Sequence, residues 1–216
     1  MPGPSRNYAK ELERLIQKLQ QEGKVPRLLL HACCAPCSSA VLEYLSQYFA
    51  ITLLYYNPNI APLEEYQKRE AELRRLVSQM KFTHPVELLP CQYDGQAFVQ
   101  AARGLEGEPE GGKRCEACFR LRLRYAAQEA AHLRFDYYTT TLSISPMKNA
   151  PLLNQLGEEI GREFGVAHLP SDFKKKDGYK RSVQLSKEYD LYRQDYCGCA
   201  FSKAQRQREK EEREEV

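Results

Sequence analysis

Apolar residues recur along this chain with two periods, and the periods alternate. Over residues 7–22, Leu12, Leu15, Ile16 and Leu19 share one helical face, and Gly23 supplies a stop. The unbroken run Leu28-Leu29-Leu30 then predicts a buried strand over 27–32. A cap on Ser38 or Ser39 is expected to open a helix that runs through about Tyr48, with Val41, Leu42 and Leu45 facing inward. The alternation continues with a strand at 51–56, a helix at 63–80, a strand at 86–89 and a short helix at 95–103. Beyond these come a helix at 113–133, a strand at 137–142, a helix at 151–164, a strand at 166–169 and a helix at 181–192. Segment 105–112, rich in Gly and Glu, is expected to be a mobile surface loop.

Strands that alternate with helices predict an α/β fold, a single doubly wound and mostly parallel sheet of about five strands. The chain divides into an N-terminal helix over 1–24, an α/β domain over 25–202 that holds the candidate chemistry, and a charged tail over 203–216. The tail is either an exposed helix or disordered. In such a sheet ligands sit beyond the carboxyl ends of the strands, where the strand order reverses. The loops placed there are 33–38, 57–62, 142–150 and 171–180.

Composition narrows the picture only slightly. Among 216 residues, 42% are hydrophobic and 28% charged, ordinary values for a globular protein. No apolar run approaches transmembrane length, and the first 21 residues lack the apolar core of a signal peptide, so a cytoplasmic protein without a membrane partner is expected. A net charge of +3 neither requires nor excludes a nucleic-acid partner.

Cysteines change the picture more. Seven of eight fall in three clusters: Cys33, Cys34 and Cys37; Cys115 and Cys118; Cys197 and Cys199. In a reducing compartment, clustered thiols point to metal or redox chemistry rather than to structural disulfides. Adjacent Cys33-Cys34 suits a zinc knuckle poorly, because neighbouring side chains diverge, so the spacing favours an iron–sulfur cluster over zinc. Cys115 and Cys118 lie one helical turn apart and face one way. A disulfide across one residue is strained and easily reduced, so Cys197-Gly-Cys199 suits a reversible electron relay; two more ligands or two inert thiols are the plainer alternatives. Cys91 stands alone with no assigned role, and His31 reads as a core histidine before a ligand. Lys148 and Asn149 lie on a rim loop as candidate substrate contacts. Lys174, Lys175, Lys176 and Tyr179 combine charge for phosphate with a ring for stacking, as a reader of looped RNA needs. Phe173 is a second candidate ring, and the arginines at 114, 120, 122 and 124 are further candidate phosphate contacts.

Taken in order, His31-x-Cys-Cys-Ala-Pro-Cys37, Cys115-x-x-Cys118, the stretch Thr140 to Asn149, Phe173-Lys-Lys-Lys-Asp-Gly-Tyr179 and Tyr196-Cys-Gly-Cys199 resemble the epoxyqueuosine reductases of the QueH type. The resemblance covers about residues 25–202. It implies reduction of epoxyqueuosine to queuosine at the wobble position of tRNA, the last step of queuosine biosynthesis, with electrons from an external donor. It implies a fold similar to the adenine-nucleotide α-hydrolase (HUP-like) group, with Cys-Cys-Ala-Pro-Cys standing where ATP-using members carry a phosphate loop. It further implies a [4Fe–4S] cluster on Cys33, Cys34, Cys115 and Cys118, a redox-active pair at Cys197 and Cys199, and a second, mononuclear iron for which Cys37 is the candidate contact. Two other classes remain open on the residues alone: a zinc-stabilised RNA-binding module without catalysis, and a metal-free dithiol oxidoreductase.

Overall fold

A computed structural model describes residues 6–214. The first five residues of segment 1–24 and the last two of segment 203–216 lie outside the described residues. Five parallel strands form one sheet in the order β3-β2-β1-β4-β5: β1 Arg27–His31, β2 Ala50–Leu54, β3 Val86–Leu89, β4 Tyr137–Thr140 and β5 Ala167–His168.

Strand β1 lies between two neighbours and is buried from Leu28 to His31, which explains its unbroken apolar run. Its side chains alternate between two cores. Leu28 and Leu30 join one core with α1 (Tyr8–Gln21), α2 (Ala35–Leu45) and α3 (Leu63–Gln79). Leu29 joins the opposite core with α5 (Lys113–His132) and α6 (Ala150–Phe164). The short α4 (Gly95–Ala102) packs Phe98 into a satellite cluster with Cys118 and Cys199. None of the described helices is long and apolar enough to cross a membrane.

Strands β2 and β3 lie on one side of β1, and β4 and β5 on the other. The order therefore reverses beside β1, and the crevice opens between the carboxyl ends of β1 and β4. His31 and Thr140 are register partners at that edge.

Several boundaries differ from the sequence expectation, each for a local reason. Helix α2 begins at Ala35 rather than at a serine cap. Cys34 is its extended N-cap residue, Pro36 occupies the first turn, and Ser38 and Ser39 donate their hydroxyls back to the carbonyls of Cys34 and Pro36. Cys37 thus lies inside the first turn. Strand β4 stops at Thr140, whose Oγ1 accepts the Leu142 N–H and starts a 3-10 turn over Thr141–Ile144. Helix α7 (Gly178–Glu188) starts earlier than expected, and Gly178 is obligatory there, since a Cβ would stand 1.9 Å from the Phe173 carbonyl oxygen. The segment 105–112 is tied down, because the buried Arg114 guanidinium donates to the carbonyls of Leu105, Glu106 and Glu108. Of the open alternatives for the tail, helix holds: α8 (Ala200–Glu214) begins directly after Cys199, with Ser202 buried in its first turn.

Candidate metal and redox site

The early entry into α2 brings Cys37 back toward the strand end. The sulfurs of Cys33, Cys34 and Cys37 all lie within 4.8 Å of one another, close enough to hold a metal ion, and the Cys33 and Cys34 sulfurs are 3.9 Å apart. Thr141, delivered by the 3-10 turn after β4, accepts the Cys33 N–H at 3.1 Å and donates its hydroxyl to the Cys33 sulfur at 3.4 Å. Among these three sulfurs the anionic form is favoured at Cys33. The Cys34 and Cys37 thiols donate to it and hold it well below the ordinary thiol range despite burial, with Arg122 and Thr141 adding to the effect. Cys34 and Cys37 are pushed up, chiefly because each donates to that thiolate.

A second group of thiols lines a tight cavity beside the first. Cys115 and Cys118 face it from the first turns of α5, and Cys197 and Cys199 from the turn before α8. That turn needs glycine: Gly198 has φ +116°, and a Cβ there would sit 2.9 Å from Ile60 and 3.0 Å from the Arg69 guanidinium. Cys197 also lines the larger cleft that holds the first three thiols, a space of about 380 Å³. All eight cysteines are free thiols.

Arg122 stands between the two groups. It is one α-helical turn beyond Cys118 and 1% exposed, with Nη1 donating to the Cys118 sulfur at 3.8 Å and Nη2 to Asn57 Oδ1 at 2.8 Å. Among the described residues it has no carboxylate partner. A guanidinium does not shed its proton, so the surrounding sulfurs are the groups that can come to balance it. His31 is not free to ligate. Its Nδ1 accepts the Thr140 hydroxyl at 2.8 Å, and its Nε2–H donates to the Tyr56 carbonyl at 3.0 Å. Burial, helped by Arg122, lowers its pKa to about 3 and keeps it neutral.

The region described by the family "Epoxyqueuosine reductase QueH" matches residues 28–205, from β1 into α8, and so contains every thiol of both groups. This chain belongs to the QueH family. A Streptococcus pyogenes serotype M1 protein of that name is 42% identical over 203 residues, 93% of this chain and 80% of the relative. One from Staphylococcus epidermidis is 42% identical over 200 residues, 91% and 84% of the two chains. One from Thermotoga maritima is 35% identical over 185 residues, 83% and 91% of the two chains.

In this QueH-family chain the polar residues singled out from sequence take different places. Lys148 is 8% exposed and lines the thiol cleft, with Nζ 3.0 Å from Glu110. Asn149 caps α6 by accepting the Leu152 N–H. Lys174 pairs with Asp172, Lys176 with Glu13 of α1, and Lys175 is exposed without an ion-pair partner among the described residues. Tyr179 is exposed on the cleft, whereas Phe173 is buried in the core and is not available to stack on a ligand. The arginine row divides: Arg114 and Arg122 are buried, and Arg120 and Arg124 pair with Glu159 and Glu163 on α6. Sequence reasoning missed Thr141, Arg69 and Glu110 as members of the site. Arg122 carried one signal, its i, i+4 spacing from Cys118.

Proposed function

We propose that this chain reduces epoxyqueuosine to queuosine in the wobble position of tRNA, in the cytoplasm. The observation that carries the proposal is the family match across the whole α/β domain, joined to the gathering of seven thiols around the crevice beside β1. Opening an epoxide to an alkene takes two electrons and two protons and releases water. Oxidising two thiols to a disulfide yields the same two electrons and two protons.

The donor set suits an iron–sulfur group. Thiolates are its ligands, and the buried Arg122 charge, unmatched by any carboxylate among the described residues, favours an anionic group between the two halves of the site. Cys33, Cys34, Cys115 and Cys118 would hold a [4Fe–4S] cluster, which when bound supplies electrons singly. Cys37 is left as the contact for a second, mononuclear iron. Cys197 and Cys199 serve as the redox pair between an external donor and the cleft.

The chain's own residues handle substrate and protons. Burial would lower the Lys148 pKa, but the Cys197 sulfur and Glu110 outweigh it, and the ammonium stays charged inside the cleft as a donor toward substrate oxygen. Tyr179 offers an exposed ring to a splayed base, and Lys175 an unpaired charge to a phosphate.

The test is anaerobic reconstitution with iron and sulfide, followed by an epoxyqueuosine-tRNA reduction assay. Wild type should take up iron and turn over; Cys33→Ala and Cys115→Ala should do neither. Four-iron content and full turnover in those variants would sink the ligand set. A colourless one-zinc protein, or reduction that survives chelation, would overturn the iron–sulfur reading itself.

A further inference from the structure

Glu110 lies in the segment whose composition marks it as a loose surface loop, yet its side chain is 12% exposed and both carboxylate oxygens are engaged. One accepts from Lys148 Nζ at 3.0 Å, and the other from the Ser202 hydroxyl at 2.9 Å. Its own N–H donates to Gln205 in α8 at 3.1 Å. Ser202 reaches both members of the dithiol: its Oγ accepts the Cys197 N–H at 3.0 Å, and its N–H donates to the Cys199 sulfur at 3.3 Å. Gly111, the next residue after Glu110, donates its N–H to the Cys115 sulfur at 3.2 Å.

These bonds join three stretches that are remote in sequence: the loop before α5, the loop before α6 and the start of α8. Beyond these bonds α8 adds an exposed Lys210–Asp195 pair, Arg206 on the rim of the cleft and Phe201 beneath the Arg114 guanidinium. Beyond its first turn it is almost wholly charged, and Phe201, packed edge-on against Phe98, is its main apolar anchor. A polar hub at the base of a weakly anchored helix governs where that helix and the turn before it sit.

We propose that Glu110 is a positioning residue that fixes the Cys197-Gly-Cys199 turn against the thiol cleft, acting through Ser202. Its charge matters because a carboxylate accepts both the Lys148 ammonium and the Ser202 hydroxyl. Glutamine offers one acceptor oxygen and turns its amide N–H toward the other partner. The consequence for turnover rests on the reading of Cys197 and Cys199 as a redox pair; the positioning itself does not.

The test uses the full chain, purified without oxygen, as Glu110→Ala, Glu110→Gln and Ser202→Ala. Alkylation by iodoacetamide is timed and mapped to individual cysteines by mass spectrometry, with Cys91 as the internal reference. Losing a hydrogen bond to a charged group should raise the rates at Cys197 and Cys199 about tenfold relative to Cys91 in Glu110→Ala and Ser202→Ala, with Glu110→Gln between them and wild type. In the same variants kcat should fall while KM for epoxyqueuosine-tRNA holds. Ser202→Ala keeps the Lys148–Glu110 pair, so its result stands even if Glu110→Ala folds poorly. Wild-type alkylation rates at Cys197 and Cys199 in Ser202→Ala and Glu110→Gln would overturn the proposal. Faster alkylation with unchanged kcat would uphold the positioning and refute the redox-pair reading.

Discussion

Arg122→Gln should move metal loading and metal-free stability in opposite directions. Glutamine keeps an amide donor for Asn57 and removes the charge. In the wild-type chain Nη1 lies 3.8 Å from the Cys118 sulfur. Unit charges about 4 Å apart attract by about 4 kcal/mol at an effective dielectric of about 20, equal to about three pKa units. Delocalisation over the guanidinium reduces this, and about half is a working figure. Burial already pushes Cys118 up to about 11, with Arg122 as the main opposing influence, so removing the charge raises the thiol further. Ligation releases the thiol proton, and loading by iron and sulfide should therefore need a pH higher by about one unit or more. The metal-free chain, by contrast, holds a desolvated cation without a carboxylate, so the variant should unfold at equal or higher urea concentration. The assay is iron per chain after anaerobic reconstitution across a pH series, with urea unfolding of metal-free protein beside it. A loading curve that superimposes on wild type, with a metal-free variant weaker by several kcal/mol, would refute the reasoning and make Arg122 a structural strut.

Two further outcomes follow from burial and exposure. His31, neutral when folded with a pKa lowered to about 3, gains a proton on unfolding below its ordinary 6.5. Its contribution is fully present above that value and is lost as pH falls from 6.5 toward 3, by about 1.4 kcal/mol per unit. His31→Gln should lose stability less steeply on acidification in urea unfolding, and a slope equal to wild type would refute the assignment. Tyr179→Ala should weaken binding of an anticodon stem-loop about tenfold in fluorescence anisotropy with an unchanged melting temperature. Phe173→Ala should do the reverse and destabilise the fold by about 3–5 kcal/mol. An exchange of these phenotypes would show that the wrong ring was assigned to RNA.

Periodicity made the sheet legible. Leu28-Leu29-Leu30 reads as a buried strand, and the helical faces on either side supplied two layers to cover it. The cysteine clusters were legible because thiols are few and their spacing is local. Boundaries set by side-chain hydrogen bonds were not. Ser38 and Ser39 have the chemistry of caps, but Pro36 and the extended Cys34 start the helix before them. Nor was Glu110: in composition it is one glutamate in a flexible-looking segment, and its role depends on Ser202 and Lys148, which only the fold brings near. Lysine runs advertise charge, but whether Lys148 or Lys176 faces RNA depends on the carboxylate the fold brings to it.

Gly198 has a bearing on how far the Cys197–Cys199 turn can move. Its carbonyl accepts the Ala61 N–H at 3.1 Å, and the Cys197 carbonyl accepts from Arg69 at 3.3 Å. The turn is therefore pinned on its carbonyl side to the loop after β2 and to α3, while its sulfurs face α5. Any swing of Cys197 or Cys199 away from the crevice must break the bond to Ala61 or the bond to Arg69, so the disulfide and dithiol forms have to be reached by side-chain rotation rather than by displacement of the backbone.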